Sequence, residues 1–283
     1  MTNKKCAITG AAGYVGSAIR RYFAAQGWEV VELGRRRSSP TAAHIPFDLK
    51  NGDPNAIPWE GIDALVHCAY DFQLTEWEAI QKVNVQGSAR LLQAAKANGV
   101  SHGVFISSLS CFDGCRSLYG KAKLLIEAEA IQLGFGVVRP GLVWGNTPGG
   151  MMGSLMKVAA TKKIVPLIGD GSFPQYLVQD EDLARLVFTL CQQTPPARPI
   201  SAANGEKNSL RSLLEKVAHK HGRDPIFIPV PWQLIFAGLK TLEFCKLPTP
   251  FRSDSLTGFV FQNPAPDFSL PEIPEISYRP FQA

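Results

Sequence analysis

The stretch Thr9-Gly10-Ala11-Ala12-Gly13-Tyr14-Val15-Gly16 decides the fold. It follows an apolar run, Cys6 to Thr9, that reads as a buried strand, and it leads into Val15 to Gln26, whose apolar spacing reads as a helix. Its glycines fall at Gly10, Gly13 and Gly16. Glycine lets the backbone turn sharply at a strand end and approach a pyrophosphate, while the helix N-terminus offers oriented N–H groups and positive partial charge. The contacting set expected from this loop is Gly10, Ala12, Gly13, Tyr14, Val15 and Gly16. A glycine-rich turn that binds nothing carries the same letters, and the strand-loop-helix setting favours the phosphate loop.

The next strand, Glu29 to Leu33, ends on Gly34 and then Arg35-Arg36-Arg37. Dinucleotide folds that take NAD commonly place an acid here, on the ribose 2′-hydroxyl. With no acid there is no repulsion toward a 2′-phosphate, and Arg35 or Arg36 can pair with it through charge-assisted hydrogen bonds. NADP is therefore the preferred cofactor and NAD the alternative. Arginines merely solvated on an exposed loop are the competing reading.

Farther out, strand-like runs at Ala64 to Cys68, Gly103 to Ser107 and Gly136 to Arg139 alternate with helical segments at Ile80 to Asn98 and Tyr119 to Leu133. This order predicts an α/β fold, a doubly wound parallel sheet of the Rossmann type. Glycines and prolines cluster in RPGLVWGNTPGG and PLIGDGSFP, which read as rim loops. We expect one unit over residues 1–283, with loops 140–180 and segment 202–283 forming the substrate-binding region, and irregular chain over Asn263 to Pro280.

Of the 283 residues, 45% are apolar and 19% charged, the usage of a soluble globular domain. The net charge of +5 sits partly in Arg35 to Arg37 rather than along a basic stripe, so nucleic acid is not an expected partner. A small-molecule substrate is expected, and a homodimer is admitted as an assembly. Six scattered cysteines read as free thiols of a reducing compartment. The N-terminal apolar segment is too short for a signal peptide or a membrane span, so a cytoplasmic protein without stable membrane insertion is expected. The histidines form no ligand set and imply no metal.

Tyr119 and Lys123 stand four residues apart, hence on one face of a helix. A phenol with a pKa near 10 is a poor proton carrier at neutral pH, and a neighbouring ammonium stabilises the phenolate. Upstream, Ser107-Ser108 ends a buried strand at its carboxyl end, where ligands of open α/β sheets sit. A serine there can donate to a substrate oxygen or cap the following turn.

With these motifs in order, the chain resembles an extended short-chain dehydrogenase/reductase of the NAD-dependent epimerase/dehydratase family, over about Lys5 to Gly222. The resemblance rests on the TGAAGYVG loop, Asp48-Leu49, His67-Cys68-Ala69, Asn84-Val85-Gln86-Gly87, Phe105-Ile106-Ser107-Ser108, Tyr119 to Lys123, Arg139-Pro140-Gly141, Gly169-Asp170-Gly171 and Asp182-Leu183-Ala184. It implies hydride transfer at a secondary alcohol or ketone. Tyr119 would be the acid-base residue, Lys123 would hold the nicotinamide ribose and tune Tyr119, and Ser108 would polarise the reacting oxygen, with Ser107 as fallback. It also implies Asp48 and Leu49 on the adenine side, with Ala69 and Asn84 in the cofactor site.

Departures from the family pattern narrow the substrate. Members acting on nucleotide sugars often carry an arginine after the GDG motif, and Gln175 stands near that place. A neutral amide binds a diphosphate far less well than a guanidinium fork. Dehydratases usually carry Asp-Glu after the catalytic hydroxyl, where this chain has Leu109-Ser110. A nucleotide-sugar epimerase remains the alternative reading, and a non-catalytic NADP-binding redox sensor a third, against which the intact Tyr119/Lys123 pair speaks. Finally, the apolar stretch Trp232 to Leu247 reads as a core stripe, with pocket lining or contact with a membrane surface as alternatives.

Overall fold

The apolar run at the start of the chain forms strand β1 (Lys5–Thr9), in which Cys6 and Ile8 pack on one face of a sheet and Ala7 on the other. This computed structural model describes residues 4–146, 149–247, 249, 251–269 and 276–282. The chain continues through α1 (Tyr14–Ala25), β2 (Glu29–Gly34), β3 (Ala43–Pro46), β4 (Ala64–His67), α2 (Trp77–Ile80), α3 (Gln86–Ala97), β5 (His102–Ile106) and α4 (Leu118–Gln132). Next come β6 (Gly136–Pro140), β7 (Leu142–Trp144), α5 (Gly150–Thr161), β8 (Ile164–Ile168), β9 (Pro174–Gln179), α6 (Asp180–Leu190) and β10 (Ile200–Ala202). The last elements are β11 (Asn204–Ser209), α7 (Leu210–Lys220), β12 (Ile226–Val230), α8 (Trp232–Phe244) and α9 (Ser253–Val260).

Seven strands in the order β10-β6-β5-β4-β1-β2-β3 form a wholly parallel sheet. The doubly wound expectation holds. Because the chain moves outward from β1 to β3 and returns to β4 on the other side of β1, a crevice opens at the carboxyl ends of β1 and β4. Alternation decides which helices cover which face. Cys6, Ile8, Ala64, Val66, Val104, Ile106 and Val138 join α1 and α6 in one core, whereas Ala7, Leu65, Phe105 and Val137 join α3 and α4 in the other. Each fully buried Leu or Phe side chain in these layers contributes about 1.5–3 kcal/mol relative to exposure.

Some boundaries differ from expectation. The single helix expected over Ile80 to Asn98 begins at Trp77 and carries one π turn at Gln81–Val85 before α3. Strand β5 ends at Ile106, so Ser107 and Ser108 lie just beyond it, although Ser107 N–H still bonds the Val138 carbonyl at 2.7 Å. The edge strands β3 and β10 had no clear apolar alternation to announce them.

A third core joins Trp144, Val165, Leu167 and Leu177 to Leu210, Leu214 and Val217 and to Phe259 and Phe281. Here β11-β9-β7 and β12-β8 form two small sheets beside the main one. Residues 263–269 and 276–280 are irregular, as expected, and 270–275 of that stretch lie outside the described residues, as do Thr147 and Pro148 of the first rim loop. Arg279 reaches back to α6, where its Nη2 bonds Asp182 Oδ1 at 2.8 Å and its backbone N–H bonds Oδ2 at 2.8 Å. The core reading of Trp232 to Leu247 is overturned. Within α8 only Leu239 is buried, while Leu234 is 65% and Phe244 89% exposed, because α8 covers α9 with one side and no described residue covers the other.

Candidate active site

The loop after β1 is shaped by what its glycines touch. Gly10 has φ +67°, and a Cβ there would meet Ala69 N at 2.9 Å. At Gly16 a Cβ would stand 2.3 Å from the Gly10 carbonyl oxygen, so side chains at either position would push the turn apart. Gly13 starts α1 without a side-chain cap, and the first turn holds no acid. The first-turn N–H groups are thus left for an anion. Ala12 and Gly13 are exposed, Tyr14 and Val15 half-buried, and Tyr14 Oη donates to Asp180 Oδ2 at 3.2 Å. A pyrophosphate fits this cradle.

Beneath the loop, the Thr9 hydroxyl accepts from Cys68 N and Ala69 N at 3.1 Å each and meets His67 Nδ1 at 2.7 Å. Its own proton therefore goes to Nδ1, which makes Nε2–H the donor to Ser88 Oγ at 2.7 Å. Burial holds the imidazole neutral, its pKa lowered to about 3. This chain of bonds locks β1, β4 and α3 together where Ala69 faces Gly10.

Arg35 and Arg36 are exposed at the end of β2, with no ion pair or hydrogen bond among the described residues, whereas Arg37 Nη2 donates to the Ala42 carbonyl at 3.0 Å. The buried acid of β2, Glu32, is committed elsewhere: it accepts from Ser38 N and Ser38 Oγ, each at 2.7 Å, and lies 3.4 Å from Arg20 Nε. Asp48 Oδ1 accepts from Lys50 N and Asn51 N at 2.8 Å, and Leu49 is buried, its carbonyl accepting from Arg90. Asn84, buried in the π turn, grips the backbone of Asp71 by both amide atoms, at 2.7 and 3.2 Å. It thereby fixes the segment that carries Tyr70 and Phe72.

On α4, Tyr119 and Lys123 share one face, as the spacing requires. Lys123 is buried, and its Nζ donates to the Ile106 carbonyl at 2.6 Å. It lies 4.4 Å from the Phe105 ring centroid, 5.4 Å from Tyr70 and 5.7 Å from Tyr119. Burial lowers its pKa to about 8. Burial also pushes the Tyr119 phenol well above the ordinary tyrosine value, with Cys111 and Tyr70 adding to the rise and a hydrogen bond with Ser108 opposing it. Tyr70 packs edge-on against Tyr119 at 5.0 Å and Phe72 stacks at 5.7 Å.

The two serines part company. Ser107 is buried and donates to Glu127, whose carboxylate pairs with Arg139 through Nε at 2.8 Å and Nη2 at 2.5 Å. Ser108 faces the phenol, so the fallback serine is spent on structure. Neither Glu127 nor Asp254 figured in the sequence reading. Asp254, at the start of α9, accepts from Leu118 N at 2.7 Å and Tyr119 N at 2.9 Å and so caps the helix that carries Tyr119. A cavity of about 780 Å³ opens over Ser108 and Tyr119, bounded by Phe72, Gln175, Phe236 and Asp254. Gln175 is buried with its amide on the Pro174 carbonyl, so its donor is turned to the backbone.

The model of the NAD dependent epimerase/dehydratase family matches residues 6–202. The chain belongs to that family. It is 26% identical over 235 residues to a ceramide reductase of Caulobacter vibrioides, covering 80% of this chain and 73% of that one. To methionine adenosyltransferase 2 subunit beta of Pongo abelii it is 29% identical over 162 residues, 51% of this chain and 48% of the other. Its fold matches that of UDP-glucose 4-epimerase from Thermotoga maritima, solved with UDP-glucose, with a TM-score of 0.70 at 20% identity, covering 80% of this chain and 86% of that chain. The family member described here is thus an NAD(P)-dependent enzyme of the short-chain dehydrogenase/reductase type, acting by hydride transfer at a secondary alcohol or ketone of a small substrate. Among the described residues no helix is long and apolar enough to cross a membrane.

Proposed function

We propose that the chain is an NADP-preferring reductase of a ketone, with Tyr119 as proton donor, Ser108 as the second donor to the carbonyl oxygen and Lys123 as the cation behind them. The carrying observation is that Ser108 and Tyr119 line one cavity, with the buried ammonium of Lys123 on the same helix face as the phenol. A raised phenol pKa keeps Tyr119 protonated, which suits a group that must give up a proton to a carbonyl oxygen. The loop Gly10 to Gly16, with Ala12, Tyr14 and Val15, would hold the pyrophosphate, Asp48 and Leu49 the adenine side, and Ala69 and Asn84 the crevice wall. Arg35 and Arg36 would take the 2′-phosphate.

When bound, the nicotinamide supplies the hydride that reduces the carbonyl carbon. The carbonyl oxygen gains the Tyr119 proton, Ser108 steadies the oxygen as charge develops, and Lys123 stabilises the phenolate until solvent restores its proton. The region formed by loops 140–180 and segment 202–283 would bind the substrate. Six free cysteines suit a reducing, cytoplasmic setting.

The reductase relative supports this reading over nucleotide-sugar epimerisation, as does the inward-turned amide of Gln175. The test follows oxidation of NADPH and NADH over a panel of ketones. Tyr119→Phe is expected to lose about 10²–10⁴-fold in kcat while still binding NADPH, and Arg35→Ser with Arg36→Ser to lose the preference for NADPH. Unchanged turnover in Tyr119→Phe rejects the proposal, and competition by micromolar UDP would transfer support to the epimerase reading.

A further inference from the structure

The outer side of α8 is exposed and apolar. No charged residue occurs between Asp224 and Lys240, a span that takes in all of β12 and the first half of α8. The inner side of α8 is fully engaged: Leu239 is buried, Trp232 packs edge-on against Phe261 at 5.5 Å, and Glu243 accepts from Ser253 N and Ser253 Oγ at 2.7 and 2.8 Å. The outer side presents Leu234, Ala237, Gly238, Thr241 and Cys245, spaced at helical intervals and all exposed, with Leu242 and Phe244 beside them. Even the hydroxyl on that side is satisfied within the helix, since Thr241 Oγ1 donates to the Ala237 carbonyl at 3.0 Å. A helix apolar on both sides demands a second partner.

The strand that feeds α8 continues the pattern. Ile226 pairs in register with Ile164, and Ile228 with Pro166, and all four are exposed. Cations lie next to these apolar groups along the chain: Lys162 and Lys163 immediately precede Ile164, Arg223 precedes β12, and Lys246 follows α8. Three acids share the neighbourhood: Asp224, Asp170 beside the bridge between Gly169 and Val230, and Glu243, which is turned inward onto Ser253 and lies 3.8 Å from Lys240 Nζ. A two-fold contact through this face would bring together two surfaces that both carry these cations. An anionic lipid surface satisfies the apolar groups and the cations together.

We propose that α8 docks this enzyme on an anionic bilayer and that the substrate is a lipid-borne ketone drawn from that bilayer. The same helix forms a wall of the active-site cavity through Phe236, Lys240 and Glu243. A bilayer beneath its outer side therefore lies about one helix diameter, ~10 Å, from the cavity. Phe72, Leu74, Leu109, Phe251 and Phe259 give the cavity an apolar lining suited to a hydrocarbon chain. The choice of a ketone rests on the reading of Tyr119, whereas the docking does not.

Flotation of the full chain with phosphatidylcholine vesicles, with and without phosphatidylglycerol, tests the docking. Co-flotation is expected with the anionic vesicles, weaker at high salt, and Phe244→Glu should lower the partition coefficient about 10- to 100-fold. Phe244 lies outside the cavity lining and is 89% exposed, so the variant should keep the wild-type melting curve and its turnover of a water-soluble ketone. Turnover of a long-chain ketone presented in vesicles should fall with the binding. No flotation with anionic vesicles overturns the proposal, and so does a dimer that Phe244→Glu dissolves. If flotation holds but neither ketone is turned over, the docking stands and the reductase reading fails.

Discussion

Ser107 and Ser108 point to opposite sides because the chain is still extended where β5 ends: the first hydroxyl enters the Glu127–Arg139 pair beneath the sheet, and the second meets Tyr119 in the cavity. Ser108→Ala should therefore lower kcat about 100-fold or more with the melting curve unchanged. Ser107→Ala should leave kcat within a few-fold and cost about 1–3 kcal/mol in denaturant unfolding, because Glu127 loses a buried donor. Reversal of these two outcomes would reassign the serines. Lys123 yields a second contrast. Its pKa falls from the ordinary 10.5 to about 8, so over that interval the unfolded chain holds a proton that the native state has shed. Its contribution to stability accordingly rises with pH, while turnover that needs the ammonium falls above about pH 8. Comparing urea midpoints and kcat of wild type and Lys123→Met across that range checks both signs. The Tyr119 and Lys123 pairing was legible because a four-residue spacing encodes a shared helix face. The preference for Ser108 over Ser107 came from the family resemblance alone, since adjacent residues of a strand differ only in the face they meet, and Glu127 in the middle of α4 looked like any solvated acid.

Helix α4 begins where a residue more than a hundred positions later tells it to. The carboxylate of Asp254 takes the N–H groups of Leu118 and Tyr119, while the nearer Ser117 hydroxyl accepts only from Gly120 N at 3.1 Å. Asp254→Ala should cost about 0.5–2 kcal/mol and lower kcat more than it raises the Kd for NADPH, with Asp254→Asn recovering part of the loss. Equal loss in both variants with kcat untouched would make the cap purely structural. The sheet helices and the phosphate loop could be read from periodicity and glycine placement, which are local. The π turn at Asn84 and the cap at Asp254 could not, because each exists to satisfy a backbone contributed by another part of the chain. The apolar stripe of α8 was legible as a stripe. What covers it depends on packing that no single helix specifies.

Across the whole molecule, two layers of core sandwich the parallel sheet and a third sits under the two small sheets, so the cavity lies between the main sheet and elements that come late in the sequence. The late elements also hold the early ones. Asp182, 1% exposed, depends on Arg279 for bonds through both side chain and backbone. Arg279→Ala should cost about 1.5–3 kcal/mol, toward the low end because the guanidinium is half exposed, measured as a lowered melting temperature with the Kd for NADPH retained. An unchanged melting temperature would show that Arg185, 3.2 Å from Asp182, suffices. The clamp joins positions 97 residues apart, and this sets an order of events during synthesis. When α6 leaves the ribosome Asp182 has only Arg185 of its own helix beside it, and its carboxylate meets Arg279 only after 97 further residues have been made.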